Sequence, residues 1–211
     1  MKLTAFLFNL FFITTSVLCQ SESSGKIRVI PYHYDMQTEL WDFFNLEGVN
    51  YCILKFAGEG LRDKSYTLTV KEIWDGEIRK ESNIVNSKDM PFKAVQTVND
   101  SIMEIRVIAK KTIDNKLKMV FNFSRFSSPR EFDALPSNEY SLRNMANTLY
   151  KSIEPGKPFY ALAYILPYRK GDVAYYCAVE SSGKDIESWG KEFGIKHYLV
   201  FEMKFESYNE Q

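Results

Sequence analysis

Apolar and polar side chains take turns along much of this chain, and this period of two restricts the fold more than any other feature. Residues 66–71 alternate Tyr, Leu and Val with Thr, Thr and Lys. Residues 117–124 place Leu, Met, Phe and Phe at every second position, and residues 197–205 do the same with His, Leu, Phe, Met and Phe. Successive side chains of a strand point to opposite faces of a sheet, so these segments are expected to be strands with one buried face. The pattern is typical of antiparallel sheets.

The alternating segments and the turns between them predict a mainly β protein. Asp75-Gly76 separates two alternating runs and is a favoured pair for a type I′ hairpin turn. We expect an antiparallel β-sandwich of about nine strands with one to three short helices. The predicted strands cover residues 26–33, 50–57, 65–75, 76–85, 101–112, 116–126, 159–166, 173–181 and 195–207. The predicted helices cover residues 138–152, 185–193 and 35–44.

Residues 20–211 are predicted to form a single sandwich-like domain. Residues 127–138 contain Pro129 and Pro136 and separate a first block of strands from a helix and three further strands. A helix with three strands makes a small core, so this stretch is interpreted as a crossover within one sandwich. A subdivision of the domain near 127–138 is the alternative.

Residues 1–19 have the anatomy of a secretory signal peptide. A basic start is followed by an apolar run over residues 3–13, which is too short to span a bilayer as a helix. Cleavage after Cys19 would leave Gln20 as the first residue, so we predict a secreted or periplasmic protein with no transmembrane segment in the mature chain. Lipid attachment through Cys19 is the alternative, and the bulky Leu18 disfavours it because lipoprotein signals carry a small residue there.

The cleavage point before Gln20 and the acidic, Ser-containing spacer over residues 20–26 resemble the start of exported proteins from Bacteroidetes bacteria. On these residues the chain resembles the small, uncharacterised exported protein families of that group. The resemblance implies export. It implies no ligand, reaction or residue role.

Two cysteines, Cys52 and Cys177, remain once the signal peptide is removed. Both lie in strand-like runs, and an even pair in an exported chain predicts one disulfide between them. Such a bridge closes a long loop and stabilises the fold by roughly 4–5 kcal/mol in the chain-entropy model. Two buried thiols are the alternative. Neither cysteine stands beside a histidine or at a helix start, so no catalytic thiol is predicted.

Charge balance and histidine content argue against several function classes. Lys plus Arg and Asp plus Glu number 27 each, so the chain lacks the excess of cations that a nucleic-acid partner requires. The two histidines, His33 and His197, lie in no zinc-binding spacing, and no metal or cofactor is predicted. His197 falls on the apolar face of its strand and is interpreted as a core histidine, whereas His33 is a weak candidate for a metal or general-base role. No serine or cysteine nucleophile stands beside a base, so no catalytic residue is assigned.

The first hypothesis is therefore an exported noncatalytic module that binds a glycan, a peptide or a cell-envelope partner. Its binding residues are expected among aromatic side chains near predicted turns and helix ends, where they would form an exposed patch. The candidates are Trp41, Trp74, Tyr168 and Trp189.

Two other functions stay open. A small secreted glycoside-active hydrolase needs two carboxylates around one sugar, and the candidate pairs are Glu72 with Asp75 and Asp185 with Glu187. A structural or assembly subunit of the cell envelope needs an exposed strand edge or a large apolar patch.

Overall fold

The computed structural model describes residues 25–31, 38–183 and 185–208, without the side chains of Cys177 and Ala178. The predicted signal peptide and His33 lie outside these residues. None of the helices within the described ranges has the length and apolar character needed to cross a membrane.

The described residues form thirteen strands and a few short helices. The strands are β1 Ile27–Val29, β2 Val49–Ala57, β3 Lys64–Trp74, β4 Glu77–Asn86, β5 Ile102–Lys111, β6 Lys116–Asn122, β7 Ser127–Asp133, β8 Ser141–Asn144, β9 Ser152–Ile153, β10 Phe159–Ile165, β11 Tyr168–Lys170, β12 Val173–Tyr175 and β13 His197–Ser207. The α-helices are α1 Thr38–Leu46, α2 Lys93–Gln96, α3 Met145–Leu149, α4 Cys177–Glu180 and α5 Trp189–Phe193. Turns of 3₁₀-helix occur at Glu59–Leu61, Ser87–Asp89 and Ile186–Ser188.

The strands build two large antiparallel sheets and one small hairpin. A six-stranded sheet has the order β7-β6-β5-β2-β1-β9, and a five-stranded sheet has the order β4-β3-β13-β10-β8. Strands β11 and β12 pair only with each other. The predicted mainly β, antiparallel fold is confirmed, and the Asp75-Gly76 turn has positive φ at both residues (52° and 80°), as a type I′ turn requires.

The main core lies between the two large sheets, where the apolar faces predicted from the alternation meet. Phe121 and Phe132 of the six-stranded sheet contact Phe201 of the other sheet, with ring centroids 5.3 and 6.2 Å apart. Alternate residues of β13, namely Leu199, Phe201, Met203 and Phe205, are fully buried in this core. Such cross-sheet packing of interdigitated side chains is what holds a sandwich together.

A second apolar cluster, here called the outer cluster, covers the opposite face of the five-stranded sheet. It combines Tyr198 and Val200 of β13 with Val179 of α4, Ile186 and Trp189. The Tyr198 hydroxyl accepts the N–H of Gly190 at 3.0 Å and lies within hydrogen-bonding distance of two carbonyl oxygens of the 3₁₀ turn before α5. Both faces of β13 are therefore buried.

Side chains close the long sides of the sandwich. Along one side, Arg130 of β7 donates to the Ile84 carbonyl of β4 at 2.6 Å. Along the other, Asn144 of β8 donates to the Ile53 carbonyl of β2 at 3.1 Å, and the side chain of Asn50 accepts the N–H of Leu142. Loops from both sheets meet at the two ends of the sandwich.

The stretch 127–138, interpreted as a crossover, begins with a strand that was not predicted, β7. This strand is the edge of the six-stranded sheet and tolerates Pro129, since proline has no N–H to donate and fits an edge. Strands before and after the stretch share the five-stranded sheet, in which β13 pairs with both β3 and β10.

Two other predicted elements differ in the structure. The predicted helix over 138–152 is replaced by β8 and the five-residue α3, because pairing with β10 captures residues 141–144. Tertiary contacts commonly override a helical spacing in this way. The predicted strand over 173–181 ends at Tyr175, after which α4 begins. The 185–193 helix is confirmed as a 3₁₀ turn followed by α5, which ends at Gly194 with a φ of 68°.

Two glycines let the N-terminal residues of the described chain lie directly on the turn after β2. A Cβ on Gly60 would come within 2.6 Å of the Gly25 carbonyl oxygen, and one on Gly58 within 2.7 Å of the Lys26 carbonyl oxygen. The two glycines of this Gly-Glu-Gly turn thus allow its backbone to pack closely against the backbone of residues 25 and 26.

We expect Gly60→Ala to lower the free energy of unfolding by about 1–3 kcal/mol, because the new methyl group must displace backbone. Gly25→Ala is the matched control, since a Cβ there meets nothing within 4 Å. Urea denaturation of both variants measures the difference. Equal stability of the two variants would contradict the tight contact.

Candidate functional site

A polar depression of about 600 Å³ opens at the end of the sandwich where β3 stops and β13 starts. It is formed by the ends of three structural units, the β3–β4 hairpin, the β5–β6 turn and the end of β7. Its lining residues are Glu72, Trp74, Arg79, Lys80, Asp114, Asn115, Lys116, Asp133 and Ala134. A volume of this size is within the range of small-molecule sites.

Trp74 lines the polar depression, and the buried ring of His197 packs against it. The antiparallel register of β13 and β3 places the two residues directly opposite each other, and their rings lie 3.9 Å apart, tilted by 34°. His197 is fully buried, whereas Trp74 is half-buried. The guanidinium of Arg79 lies 5.3 Å from the centroid of the Trp74 ring, close enough for a cation–π contact.

Tyr140 fixes the protonation pattern of the His197 ring. The Tyr140 oxygen accepts the backbone N–H of Leu135 at 3.1 Å and lies 2.5 Å from Nδ1 of His197. Burial raises the pKa of Tyr140 to about 12, so the phenol keeps its proton and is able to donate it to Nδ1. A neutral imidazole that accepts at Nδ1 carries its own proton at Nε2.

Nε2 of His197 is buried and has no hydrogen-bond partner within the part of the chain that the structure describes. A buried donor left without an acceptor costs about 1–3 kcal/mol. Burial lowers the pKa of His197 to about 4, with Asp133 opposing this shift and Arg79 adding to it. Both of these charged residues line the polar depression. The interpretation of His197 as a satisfied core histidine is therefore only half right.

Positive and negative side chains of the polar depression neutralise one another. Lys80 pairs with Glu72 at 3.2 Å, and Lys116 pairs with Asp133. Its hydrogen bond to Lys116 lowers the pKa of Asp133, and the hydrogen bond from Thr112 lowers the pKa of Asp114. Both carboxyl groups are therefore ionised at neutral pH. The site offers many donors and acceptors with no excess of either charge.

The aromatic residues predicted for binding do not form one patch. Trp41 lies on α1, 44% exposed, and Tyr168 packs on the outer cluster with its ring 5.5 Å from that of Phe193. Trp189 is only 1% exposed, because α5 docks its apolar side on the five-stranded sheet. An exposed platform at Trp189 is therefore excluded. Of these four aromatic residues, Trp74 alone lines the polar depression.

The two predicted carboxylate pairs have different surroundings. Asp185 and Glu187 both lie within hydrogen-bonding distance of the Tyr160 hydroxyl, at 2.9 and 3.2 Å, and Glu187 also pairs with Lys71 at 2.5 Å. These contacts fasten the 3₁₀ turn before α5 to the outer face of the sheet. In the other pair, Glu72 lines the polar depression, whereas Asp75 pairs with Arg79 at 3.2 Å in the turn that follows Trp74.

The predicted disulfide between Cys52 and Cys177 finds no support. Cys52 is buried in the main core, and α4, which begins at Cys177, lies on the opposite face of the five-stranded sheet with Val179 in the outer cluster. Sheets that pack face to face are about 10 Å apart, beyond the usual reach of a disulfide. No disulfide occurs among the described side chains, and that of Cys177 is outside them.

Several residues of the site were not predicted from the sequence. Tyr140, Asp114 and Asp133 come from segments far apart in the chain, and no spacing or motif links them to Trp74. Within the described residues, no cluster of three or more His, Cys, Asp or Glu side chains is arranged to hold a metal ion. Comparisons with family models, curated proteins and solved structures find no match to this chain.

The buried neutral His197 predicts an acid-dependent loss of stability. The unfolded chain takes up a proton near pH 6.5, whereas the folded chain accepts it only near pH 4. The contribution is complete above pH 6.5 and decreases as pH falls toward 4, so we expect a loss of about 2 kcal/mol between pH 7 and pH 5.

Urea denaturation at several pH values, on the wild-type protein and on His197→Gln, measures this loss. The variant is expected to be less stable at pH 7 and to lose about 2 kcal/mol less than the wild type between pH 7 and pH 5. The lowered pKa values of Asp114 and Asp133 keep both ionised in this range. Parallel pH profiles of the two proteins would show that His197 is not held neutral by the fold.

Proposed function

We propose that this protein is an exported noncatalytic binding module and that the polar depression holds one unit of an uncharged glycan. The observation that carries the proposal is the half-buried Trp74, which packs on the buried His197 ring and is surrounded by oppositely charged side chains that pair with one another. The signal-like residues 1–19 support export.

The charge pattern favours an uncharged, hydroxyl-rich ligand. Among the lining residues, Arg79, Lys80 and Lys116 balance Glu72, Asp114 and Asp133. An anionic or cationic ligand would need one set of these charges to lose its partners, which is costly where the groups are partly desolvated. Sugar hydroxyls donate and accept at once, so they can bond to carboxylates and ammonium groups without breaking the balance.

The indole of Trp74 supplies the apolar contact that a sugar ring needs. One side of the indole is supported by His197, and Arg79 lies over the ring. The Arg79 side chain is 58% exposed and pairs with the equally exposed Asp75. Exposed pairs of this kind contribute only about 0–1 kcal/mol, so a ligand displaces the guanidinium at little cost.

The hydrolase alternative has less support at this site. A glycosidase needs a carboxylic acid that stays protonated near neutral pH, which requires a raised pKa. The pKa values of Asp114 and Asp133 are lowered by their hydrogen bonds. Glu72 forms an ion pair with Lys80. These contacts suit carboxylates that accept hydrogen bonds from a bound ligand.

Isothermal titration with neutral gluco-, xylo- and chito-oligosaccharides tests the proposal. We expect one of these series to bind, and Trp74→Ala to weaken its binding at least about tenfold, or about 1.4 kcal/mol. Trp41→Ala removes a tryptophan outside the polar depression and is expected to leave the affinity unchanged.

The neutrality of the ligand is tested by salt. Because no net charge is exchanged, affinity is expected to change less than twofold between 50 and 500 mM NaCl, since screening acts on exposed charges. Equal effects of Trp74→Ala and Trp41→Ala, or binding of peptides alone, would overturn the proposal. Urea denaturation of Trp74→Ala, together with the milder Trp74→Phe, separates loss of binding from loss of fold.

A further inference from the structure

A second cavity lies at the opposite end of the sandwich and shares no residue with the polar depression. It is here called the aromatic cavity, has a volume of about 440 Å³, and is separated from the polar depression by about 26 Å of β3. Residues from α2 and the loop after it, from the start of β5 and from the β6–β7 turn line it.

Three stacked rings form the inner wall of the aromatic cavity. Tyr66 and Phe123 are nearly parallel, with centroids 5.7 Å apart and an angle of 22°. Phe123 and Phe126 continue the stack at 4.6 Å and 14°. All three rings line the cavity, and Phe126 is only partly buried. A planar aromatic ligand can extend such a stack in the offset geometry that aromatic rings prefer.

The hydroxyl of Tyr66 is the unused polar group of this wall. Tyr66 is 5% exposed, and its backbone N–H is held by the Ser87 hydroxyl at 2.9 Å. No residue in the described ranges forms a hydrogen bond with the Tyr66 hydroxyl, and burial raises the pKa of Tyr66 to about 12. Since no described residue bonds to it, this hydroxyl is available to a polar group of a ligand in the cavity.

The rim of the aromatic cavity carries a carboxylate without a cation. Glu104 lines the cavity, is half-buried, and forms no ion pair or hydrogen bond with the residues that the structure describes. Arg125, the cation of the lining, donates to the Ala94 carbonyl at 3.3 Å and so joins the β6–β7 turn to α2. Asp100, also in the lining, lies 3.9 Å from Arg62. The lining thus carries two carboxylates, Asp100 and Glu104, against one guanidinium, so its net charge is negative.

We propose that the aromatic cavity binds a small planar aromatic amine. The ring stacks on Phe126 and Phe123, a ring N–H or hydroxyl bonds to the Tyr66 hydroxyl, and the ammonium group pairs with Glu104. This site is independent of the glycan site, because the two share no residue and lie at opposite ends of β3.

Tryptamine, indole and indole-3-acetate are suitable probes, since they share one ring and differ in charge. Titrations of the ¹⁵N-labelled protein are expected to shift the amide signals of residues around Tyr66, Glu104 and Phe126. Tryptamine is expected to bind about fivefold more tightly than indole, as one partly exposed ion pair allows, and indole-3-acetate more weakly than indole.

Two conservative variants separate the contacts from the fold. Glu104→Gln is expected to reduce the affinity for tryptamine to that for indole and to leave indole binding unchanged. Tyr66→Phe is expected to weaken tryptamine binding about threefold to tenfold without lowering the urea midpoint, because the hydroxyl has no partner among the described residues.

Trp74→Ala is the control at the far end and is expected to bind tryptamine like the wild type, whatever its effect on glycans. Amide shifts confined to other parts of the surface would overturn the proposal. Equal affinity for tryptamine and indole-3-acetate in the wild-type protein would do so as well.

Discussion

The pairing of β13 with β3 is the contact on which the rest of this structure depends. The two strands are in register from His197 opposite Trp74 to Ser207 opposite Lys64, the full length of both. β13 is also paired with β10 on its other side and is buried on both faces, so it contributes to the main core and to the outer cluster at once. A strand in this position cannot slip by one residue, because a slip would exchange every side chain between two different apolar environments.

The same ladder sets the geometry of the two candidate sites. Its first pair brings His197 beneath Trp74, and the opposite end of β3 brings Tyr66 to the aromatic cavity. The long sides of the sandwich are closed by side chains such as Arg130 and Asn144, which bond to backbone carbonyls of the facing sheet. Both candidate sites lie at the ends, where strands stop and loops from both sheets converge.

Each end retains a polar group that has no hydrogen-bond partner among the described residues and that stability alone does not explain. Nε2 of His197 and the hydroxyl of Tyr66 could be replaced by apolar groups of similar shape without loss of any described hydrogen bond. Such groups are costly in a folded protein and are commonly found where a ligand completes the pairing. The sites also differ in charge. The polar depression is neutralised within itself, whereas Glu104 leaves the aromatic cavity with an unpaired carboxylate, so the two are suited to different ligands.

The sequence by itself determined the strands whose side chains alternate, since the alternation records which face of each strand is buried. It therefore predicted β2, β3, β5 and β13 almost to their ends, as well as the Asp75-Gly76 turn. It did not predict β7, because Pro129 is unusual in a strand. It did not predict β8, because residues 142–153 have the apolar spacing of a helix. Both strands are short and form only by pairing with a neighbouring strand. Trp74 was identified from its position beside a turn.

Tyr140, Asp114 and Asp133 reach the same site only through the sandwich, and no local pattern encodes such a meeting. The burial of Trp189 and the separation of Cys52 from α4 were decided in the same way. Which face of a sheet a loop or helix covers depends on packing between distant segments. The alternation of apolar and polar residues specifies that a side chain is buried. Only the tertiary structure specifies which residues that side chain packs against.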